Sequence, residues 1–109
     1  MLPVLIYITA PNREEAISLA HELLNQKLIA CANIVDHVTS LYWWRGEIEQ
    51  NNEVILIAKT LPSHTEQVIK HVQEKHSYEC PAIVTIPITG GSQEYIDWVS
   101  QQVTPAANQ

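Results

Sequence analysis

Basic side chains are few in this sequence, and they form no cluster. Six lysines and arginines face twelve aspartates and glutamates, so the formal net charge is −6. A protein that binds nucleic acid usually carries a patch of lysine and arginine that neutralises several phosphates. The small number and the scatter of basic residues therefore argue against a nucleic-acid partner.

Long hydrophobic segments and a disulfide framework are also absent. The longest apolar runs, VLIYI and VILIA, are far shorter than the roughly 20 residues of a membrane span, and the N-terminus has no basic region or cleavage-site pattern. We therefore expect a soluble, cytoplasmic protein without a membrane partner. The two cysteines, Cys31 and Cys80, each lie in or beside an apolar strand pattern, where reduced thiols are more common than a disulfide.

The remaining composition is that of one compact domain. The 109 residues are 46% hydrophobic and 17% charged, which suffices for one core and is too little for two ordinary domains. We assign residues 1–103 to this single domain. The last segment, residues 104–109 with the sequence TPAANQ, is expected to be a flexible tail.

The first part of the chain predicts a strand followed by a helix. The run LPVLIYIT, from Leu2 to Thr9, is rich in β-branched and aromatic residues and is short enough for a buried strand. Asn12 and Glu15 form a predicted capping box, and an amphipathic helix of about four turns follows. Its apolar positions are spaced for one buried face, and they are Ala16, Leu19, Ala20, Leu23 and Leu24.

A long hairpin is predicted next. The segment from Ala30 to Trp44 alternates imperfectly between apolar and polar residues, and Asp36-His37 in its middle predicts a bulge or a bend. The stretch RGEIEQNN is expected to turn the chain, with Gly46 available for a positive φ. The segment from Glu53 to Thr60 then returns as the partner strand.

The last part of the domain predicts a helix, a strand and a further short helix. Ser63 and Glu66 form a second predicted capping box, and the buried stripe of the helix is marked by Val68, Ile69 and Val72. The run AIVTIPI, residues 82–88, predicts the fourth strand. Ser92 is expected to cap the final helix, whose apolar residues lie toward one side and are Tyr95, Ile96, Trp98 and Val99.

This order, β-α-β-β-α-β with an extra C-terminal helix, predicts an α+β protein with the ferredoxin-like arrangement. Two helices would cover one face of the four-stranded sheet and leave an apolar face bare. A strand of about fifteen residues spans about 50 Å, whereas a globule of this size is about 34 Å across, so the hairpin must overhang. We therefore expect further copies of the chain to cover the bare face in a closed homo-oligomer.

The hairpin carries three consecutive aromatic side chains, Tyr42, Trp43 and Trp44. On an overhanging two-stranded ribbon, such rings predict an interface between subunits. They could also stack on a base or nucleotide, but no phosphate-binding glycine loop and no basic neighbours accompany them. Interface packing is therefore the favoured interpretation.

The stretch HSYEC, residues 76–80, offers imidazole, phenol, carboxylate and thiol groups just before the fourth strand. These groups suit a soft divalent cation, yet their spacing matches no specific metal motif. The plainer interpretation is a helix end followed by a turn before a proline. His71 and His76 lie about 140° apart on a helix, so they cannot chelate one ion together.

Three further positions leave alternatives open. Asp36-His37 could bind a metal, although a bulge that directs polar groups outward is favoured. Gly90-Gly91 could hold an anion, although a tight turn is favoured. Lys59, at the end of an apolar strand, could bind an anionic ligand or pair with Glu79.

Taken together, several motifs resemble the CutA family of divalent-cation tolerance proteins. They run collinearly over about residues 4–103 and are TAP, LIACANI, SLYWWRGEIE, EVILIAKT, HSYECPAIVTIPI and YIDWV. The resemblance implies a ferredoxin-like protomer similar to the PII signalling proteins, assembled as a homotrimer whose hairpins reach neighbouring subunits. It also implies a bacterial cytoplasmic protein that is linked to tolerance of copper and other divalent metals and is able to bind Cu(II).

The same resemblance implies roles for particular positions. The copper ligands ascribed to bacterial members are a cysteine, whose position is Ile8 here, and two adjacent histidines, whose positions are Lys75-His76 here. Only His76 therefore matches as a metal ligand. The positions that match the cleft between subunits in such trimers are Cys31, Lys59, Tyr78, Glu79 and Pro81.

We therefore predict a trimeric divalent-cation tolerance protein that binds Cu(II) or a similar cation weakly and has no obligatory cofactor. No nucleophile with an adjacent base and no carboxylate pair at a catalytic spacing is recognisable, so an enzyme is not predicted. One alternative is a PII-like signalling protein that binds a small anion in the inter-subunit cleft near Lys59 and Glu79. Another is a scaffold whose stable trimer is its main property.

Overall fold

A computed structural model describes residues 1–103 of the chain as an α+β fold. The described elements are β1 (Val4–Ala10), α1 (Arg13–Asn25), β2 (Cys31–Trp44), β3 (Glu47–Thr60), a 3₁₀ turn (Pro62–His64), α2 (Thr65–Lys75), β4 (Ile83–Pro87) and α3 (Gln93–Gln102). This order confirms the ferredoxin-like prediction. The flexible tail predicted for residues 104–109 lies outside the described residues.

The four strands form one antiparallel sheet in the order β2-β3-β1-β4. Alternate side chains of β1 and β3 point to a core that α1 and α2 cover, and these include Ile6, Ile8, Leu56 and Ala58, none of which is exposed. We call the opposite side of the sheet the outer face. Within residues 1–103, no helix has both the length and the apolar character that a bilayer span requires.

The two ends of α1 follow helix-capping chemistry. Asn12 accepts a hydrogen bond at Oδ1 from the amide of Glu15 over 2.8 Å, as predicted for its cap. At the other end, the amides of Lys27 and Leu28 donate to the carbonyl oxygens of Leu24 and Leu23, each over 3.0 Å, which is a Schellman motif. Lys27 adopts a positive φ of 59° in this motif, where glycine is usual.

The capping box predicted at Ser63 and Glu66 is wrong. A 3₁₀ turn over Pro62–His64 precedes α2, so Ser63 lies within a turn and not at the cap position. Its hydroxyl lies 2.9 Å from Nδ1 of His64. The buried stripe of α2 contains Val68 and Val72, whereas Ile69 is only partly buried.

The hairpin is longer than predicted, because β3 begins at Glu47 and not at Glu53. Only Arg45 and Gly46 form the turn, with φ angles of 51° and 83°. A two-residue turn with positive φ at both positions matches the twist of paired strands, so the stretch that followed Gly46 continues as strand and not as loop. The pairing of Trp44 with Glu47 closes the hairpin, and the molecule measures 45 × 27 × 24 Å. The predicted overhang is therefore present, and we use this name for the part of the hairpin beyond the bulge, residues 38–53.

The bulge predicted at Asp36-His37 is confirmed. Val35 pairs with Ile55 and Val38 with Glu53, so two residues of β2 lie opposite one residue of β3. His37 has a φ of 62°, and Arg13 binds Asp36 with a 2.7 Å ion pair.

The outer face is largely uncovered in the single chain, as predicted. The helix α3 packs only at one end of the sheet, through Val99 and Val103 against Ala30 and Leu61. Its Ile96 and Val99 are buried, while its two aromatic rings, Tyr95 and Trp98, stack on each other at 5.6 Å and stay partly exposed. Large apolar side chains of the outer face remain exposed to solvent, and these include Val35, Val84 and Ile86.

Candidate functional site

A groove of about 840 Å³ lies between the outer face of the hairpin and the segment 78–82 that leads into β4. We call it the hairpin groove. Its walls combine both strands of the overhang with the end of β1. Its polar lining residues include Tyr42, Glu49, Asn51, Glu53, Tyr78, Glu79 and Cys80.

The hairpin groove has an acidic and aromatic character. It contains three carboxylates and a thiol, whereas none of its described lining residues is lysine, arginine or histidine. Carboxylate oxygens, phenol oxygens and thiol sulfur can all act as ligands for cations. The groove is therefore suited to a positively charged guest and unsuited to an anion.

The most buried polar group of the groove is Glu53, which is only 7% exposed. The hydroxyl of Tyr78 donates to its Oε2 over 2.7 Å. Burial, and next the hydrogen bond to the Glu53 carboxylate, raise the pKa of Tyr78 well above its usual value of about 10. The phenol therefore stays protonated and remains a donor over the whole physiological range.

His76, the residue that matches a copper ligand, lies behind the groove with its side chain completely buried. Its Nε2 lies 2.7 Å from the carbonyl oxygen of Thr9, and a carbonyl can only accept, so Nε2 carries the proton. The amide of Tyr78 donates to Nδ1 over 3.0 Å. Both ring nitrogens are thus engaged, and a metal could bind this ring only after one of these bonds breaks.

Glu15, on α1, contacts the same segment at the end of α2. Its Oε2 accepts from the amide of Ser77 over 3.0 Å and lies 3.3 Å from Nδ1 of His76. The rings of His76 and Tyr78 are in contact, with centroids 4.7 Å apart. This network fixes the segment that carries Tyr78 and Glu79 against the body of the domain.

A second polar cluster occupies the opposite end of the outer face. Cys31 and Lys59 lie directly opposite each other in β2 and β3. The Sγ of Cys31 lies 3.3 Å from the hydroxyl of Tyr95, and Lys59 donates to Oδ1 of Asn33 over 3.0 Å. The hydrogen bond with Cys31, and next burial, raise the pKa of Tyr95 to about 12.

The five residues predicted for an inter-subunit cleft therefore fall into two groups within one chain. Tyr78 and Glu79 line the hairpin groove, with half-buried Pro81 in the same segment, while Cys31 and Lys59 lie at the far end of β3. The pairing of Lys59 with Glu79, one of the two alternatives left open for this lysine, does not occur within residues 1–103 of one chain. The carboxylate of Glu79 instead lies 3.4 Å from Arg45, in a pair whose side chains are about three-quarters exposed.

The three hairpin aromatics lie on two different faces of the ribbon. Tyr42 and Trp44 line the groove, because their side chains lie on the outer face. Trp43 points to the other side of the ribbon, where it is 72% exposed beside two more exposed apolar side chains, Leu41 and Ile48. Both sides of the overhang thus present large apolar surface.

Sequence reasoning did not single out Glu49, Glu53 and Thr9, which complete the site. The signal for Glu53 was available, because strict alternation backward from Thr60 places it on the outer face with Lys59. The bond from Thr9 to His76 uses a main-chain oxygen, and such bonds have no residue-type signature. Within residues 1–103, no three histidine, cysteine, aspartate or glutamate side chains converge closely enough to hold a metal ion.

Comparison with known proteins agrees with the fold and with the sequence motifs. The family model described as CutA1 divalent ion tolerance protein matches residues 4–102. The chain therefore belongs to the CutA1 family, and its structural relatives share a PII-like fold.

Three relatives illustrate the match. A solved CutA1 structure from Oryza sativa is 34% identical, with a TM-score of 0.93 and 96% of each chain covered. A structure of the CutA from Archaeoglobus fulgidus is 42% identical, with a TM-score of 0.91, 94% of this chain and 100% of that chain covered. The chloroplastic CutA of Arabidopsis thaliana is 41% identical over 88% of this chain, which spans only 53% of that protein.

The prediction of a cytoplasmic protein is wrong in the light of these relatives. The Archaeoglobus fulgidus protein is described as periplasmic, and the Arabidopsis thaliana protein as chloroplastic. A fold of this kind thus occurs in several compartments, and its composition and short apolar runs do not determine the compartment.

Proposed function

We propose that this protein serves in divalent-cation tolerance by binding Cu(II) or a similar cation weakly and reversibly in the hairpin groove, without catalysis. The observation that carries the proposal is the cation-suited lining of the groove in a chain that belongs to the CutA1 family. None of the three relatives described above is named as an enzyme.

The arrangement of donors supports weak rather than tight binding. Glu79 and Cys80 are exposed neighbours at the mouth of the groove, while Glu53 lies deeper and is held by Tyr78. A tight transition-metal site needs three or four converging ligands, which residues 1–103 of a single chain do not provide. The cation would therefore retain water ligands and exchange readily.

The second part of the proposal is a homotrimer. Three exposed apolar side chains of the outer face and three of the overhang would be unusual on a monomer, and a symmetric assembly would cover them. A cyclic trimer would also place the overhanging ribbon of each subunit against its neighbour. Tyr42, Trp43 and Trp44 are then interface residues.

Calorimetric titration with Cu(II) tests the cation site. We expect measurable binding to the wild-type protein and a loss of roughly tenfold or more in affinity in Glu79→Gln/Cys80→Ser. His21→Ala, which removes an exposed imidazole outside the groove, is the matched control and should leave the affinity unchanged. Equal affinity in the wild type and the double variant would contradict the proposed site.

Light scattering with and without Cu(II) tests the assembly. We expect a mass of three times the 12.3 kDa of one chain under both conditions. Trp43→Ser should shift the protein toward smaller species at low concentration, because it removes the most exposed ring of the overhang. A monomeric wild-type protein would refute the trimer.

A further inference from the structure

Glu53 is a buried carboxylate without a basic partner among residues 1–103. Its only described side-chain hydrogen bond comes from the neutral phenol of Tyr78, which occupies Oε2. No described lysine, arginine or histidine lies within ion-pair distance of it. A buried carboxylate with one neutral donor is incompletely compensated for the water it has lost.

Lys59 carries the opposite charge and also lacks an ion-pair partner among residues 1–103. Its ammonium donates to the amide oxygen of Asn33 over 3.0 Å and lies 5.9 Å from the centre of the Tyr95 ring. Both partners are neutral, and none of the described carboxylates forms an ion pair with it. The side chain is half-buried at the end of an apolar strand.

The two charges lie on the same face of the same strand. Side chains of β3 alternate, so Glu53, Ile55, Ile57 and Lys59 all belong to the outer face. Six residues of strand separate the charges by about 20 Å, so they cannot pair within one chain. Lys59 is also the only lysine or arginine in the four strands.

Covering the outer face would further desolvate both unpaired charges, Glu53 and Lys59. Any partner that buries Ile55 and Ile57 also removes water from the two charges that flank them. A second copy of this chain is the partner that supplies a carboxylate and an ammonium at the same spacing. A copy of the chain can pair both charges, whereas an uncharged apolar surface can pair neither. A copy is therefore the favoured partner.

We propose that, in the assembled protein, Glu53 of each subunit forms an ion pair with Lys59 of a neighbouring subunit. The inference rests on the proposed homotrimer and adds the contact that fixes the register between subunits. In the proposed trimer the contact is head-to-tail, because a cyclic trimer places one surface of each subunit against a different surface of its neighbour. Each ring of three contains three such pairs.

A double-mutant cycle on the dissociation of the assembly tests this pair. Glu53→Gln keeps an acceptor for Tyr78, and Lys59→Met keeps the aliphatic stem of the lysine. Each single change should raise the dissociation constant, measured by light scattering across a guanidinium series, by roughly tenfold or more. The double variant should be no weaker than the weaker single variant, because the second change removes a charge that has already lost its partner.

A charge exchange provides a second variant set in the same measurement. Glu53→Lys and Lys59→Glu alone place like charges together and should prevent assembly, whereas the two combined should restore it. The matched control is Glu79→Gln, an exposed carboxylate of the same groove, which should show no coupling to Lys59→Met.

The outcomes separate the pair from the trimer. A trimeric wild-type protein with additive single effects and no rescue by the exchange would overturn the ion pair and leave the trimer standing. A wild-type protein that is monomeric at all concentrations would overturn both. Coupling in the cycle together with rescue by the exchange would establish the contact.

Discussion

The imidazole of His76 donates from Nε2 to the carbonyl oxygen of Thr9 over 2.7 Å and joins the end of α2 to the end of β1. The same ring accepts the amide of Tyr78 at Nδ1. One side chain thus bonds one main-chain group near the end of β1 and one in the loop that follows α2. This geometry gives His76 a structural role, and the prediction from the family resemblance that it binds a metal is tested by His76→Ala.

His76→Ala should lower the free energy of unfolding by about 1–3 kcal/mol, because it leaves the buried carbonyl of Thr9 and the amide of Tyr78 without their partner. The change is measured by urea unfolding at one fixed protein concentration. Cu(II) affinity, measured by calorimetry on the folded variant, should stay unchanged. A loss of Cu(II) binding without a loss of stability would restore His76 as a ligand.

Tyr78→Phe should also destabilise the protein by about 1–3 kcal/mol near neutral pH, since Glu53 loses its hydrogen-bond donor. The raised pKa of Tyr78 adds a pH dependence. Below pH of about 10 both states hold the phenolic proton, whereas above it the unfolded chain releases the proton first, so stability falls as the pH rises.

Unfolding of the wild type and of Tyr78→Phe between pH 7 and about pH 11 checks this sign. The difference in stability between the two proteins should shrink as the pH passes about 10. Tyr95, whose pKa is also raised, is present in both proteins and cancels in this difference. A difference that does not change with pH would show that Tyr78 ionises normally in the folded protein.

Gly46→Ala should cost about 1 kcal/mol in unfolding free energy, because its φ of 83° is unfavourable for any residue with a Cβ. Space is not the obstacle, since a Cβ there would meet no atom within 4 Å. Gly90→Ala is the matched control, with the same open space and no positive φ. Equal effects of the two changes on chemical unfolding would contradict a backbone origin.

Lys27→Gly should stabilise the protein by up to about 1 kcal/mol. The left-handed residue of a Schellman motif is best filled by glycine, and Lys27 has a φ of 59° there. The free energy of unfolding in urea measures the gain. Asn25→Gly, inside the last turn of α1, should have the opposite sign.

The sequence allowed the prediction of those features that depend on local patterns. The apolar alternation of β1, the cap at Asn12 and the polar interruption at Asp36-His37 each leave a signature within a few residues, and the structure contains all three. The start of β3 was missed because EIEQNN is polar, and its strand conformation is imposed by pairing with β2.

The site could be predicted only in part, for a different reason. Tyr78 and Glu79 were identified, but their partners Glu53 and Arg45 are 25 and 34 residues away in the sequence. Contacts at such separations depend on the register of the sheet, which no local pattern specifies. The two engaged nitrogens of His76 likewise depend on main-chain groups of other elements.

The extra residue at Asp36-His37 has a consequence for how this chain can change over evolution. Before the bulge, odd-numbered residues of β2 point to the outer face, and after it even-numbered residues do so. Deleting one of these two residues would remove the bulge and leave Val38 paired with Glu53, so Tyr42 and Trp44 would stay on the groove side. A length change of one residue can therefore be absorbed at the bulge, whereas the same change elsewhere in β2, without a new bulge, would exchange the two faces of the ribbon.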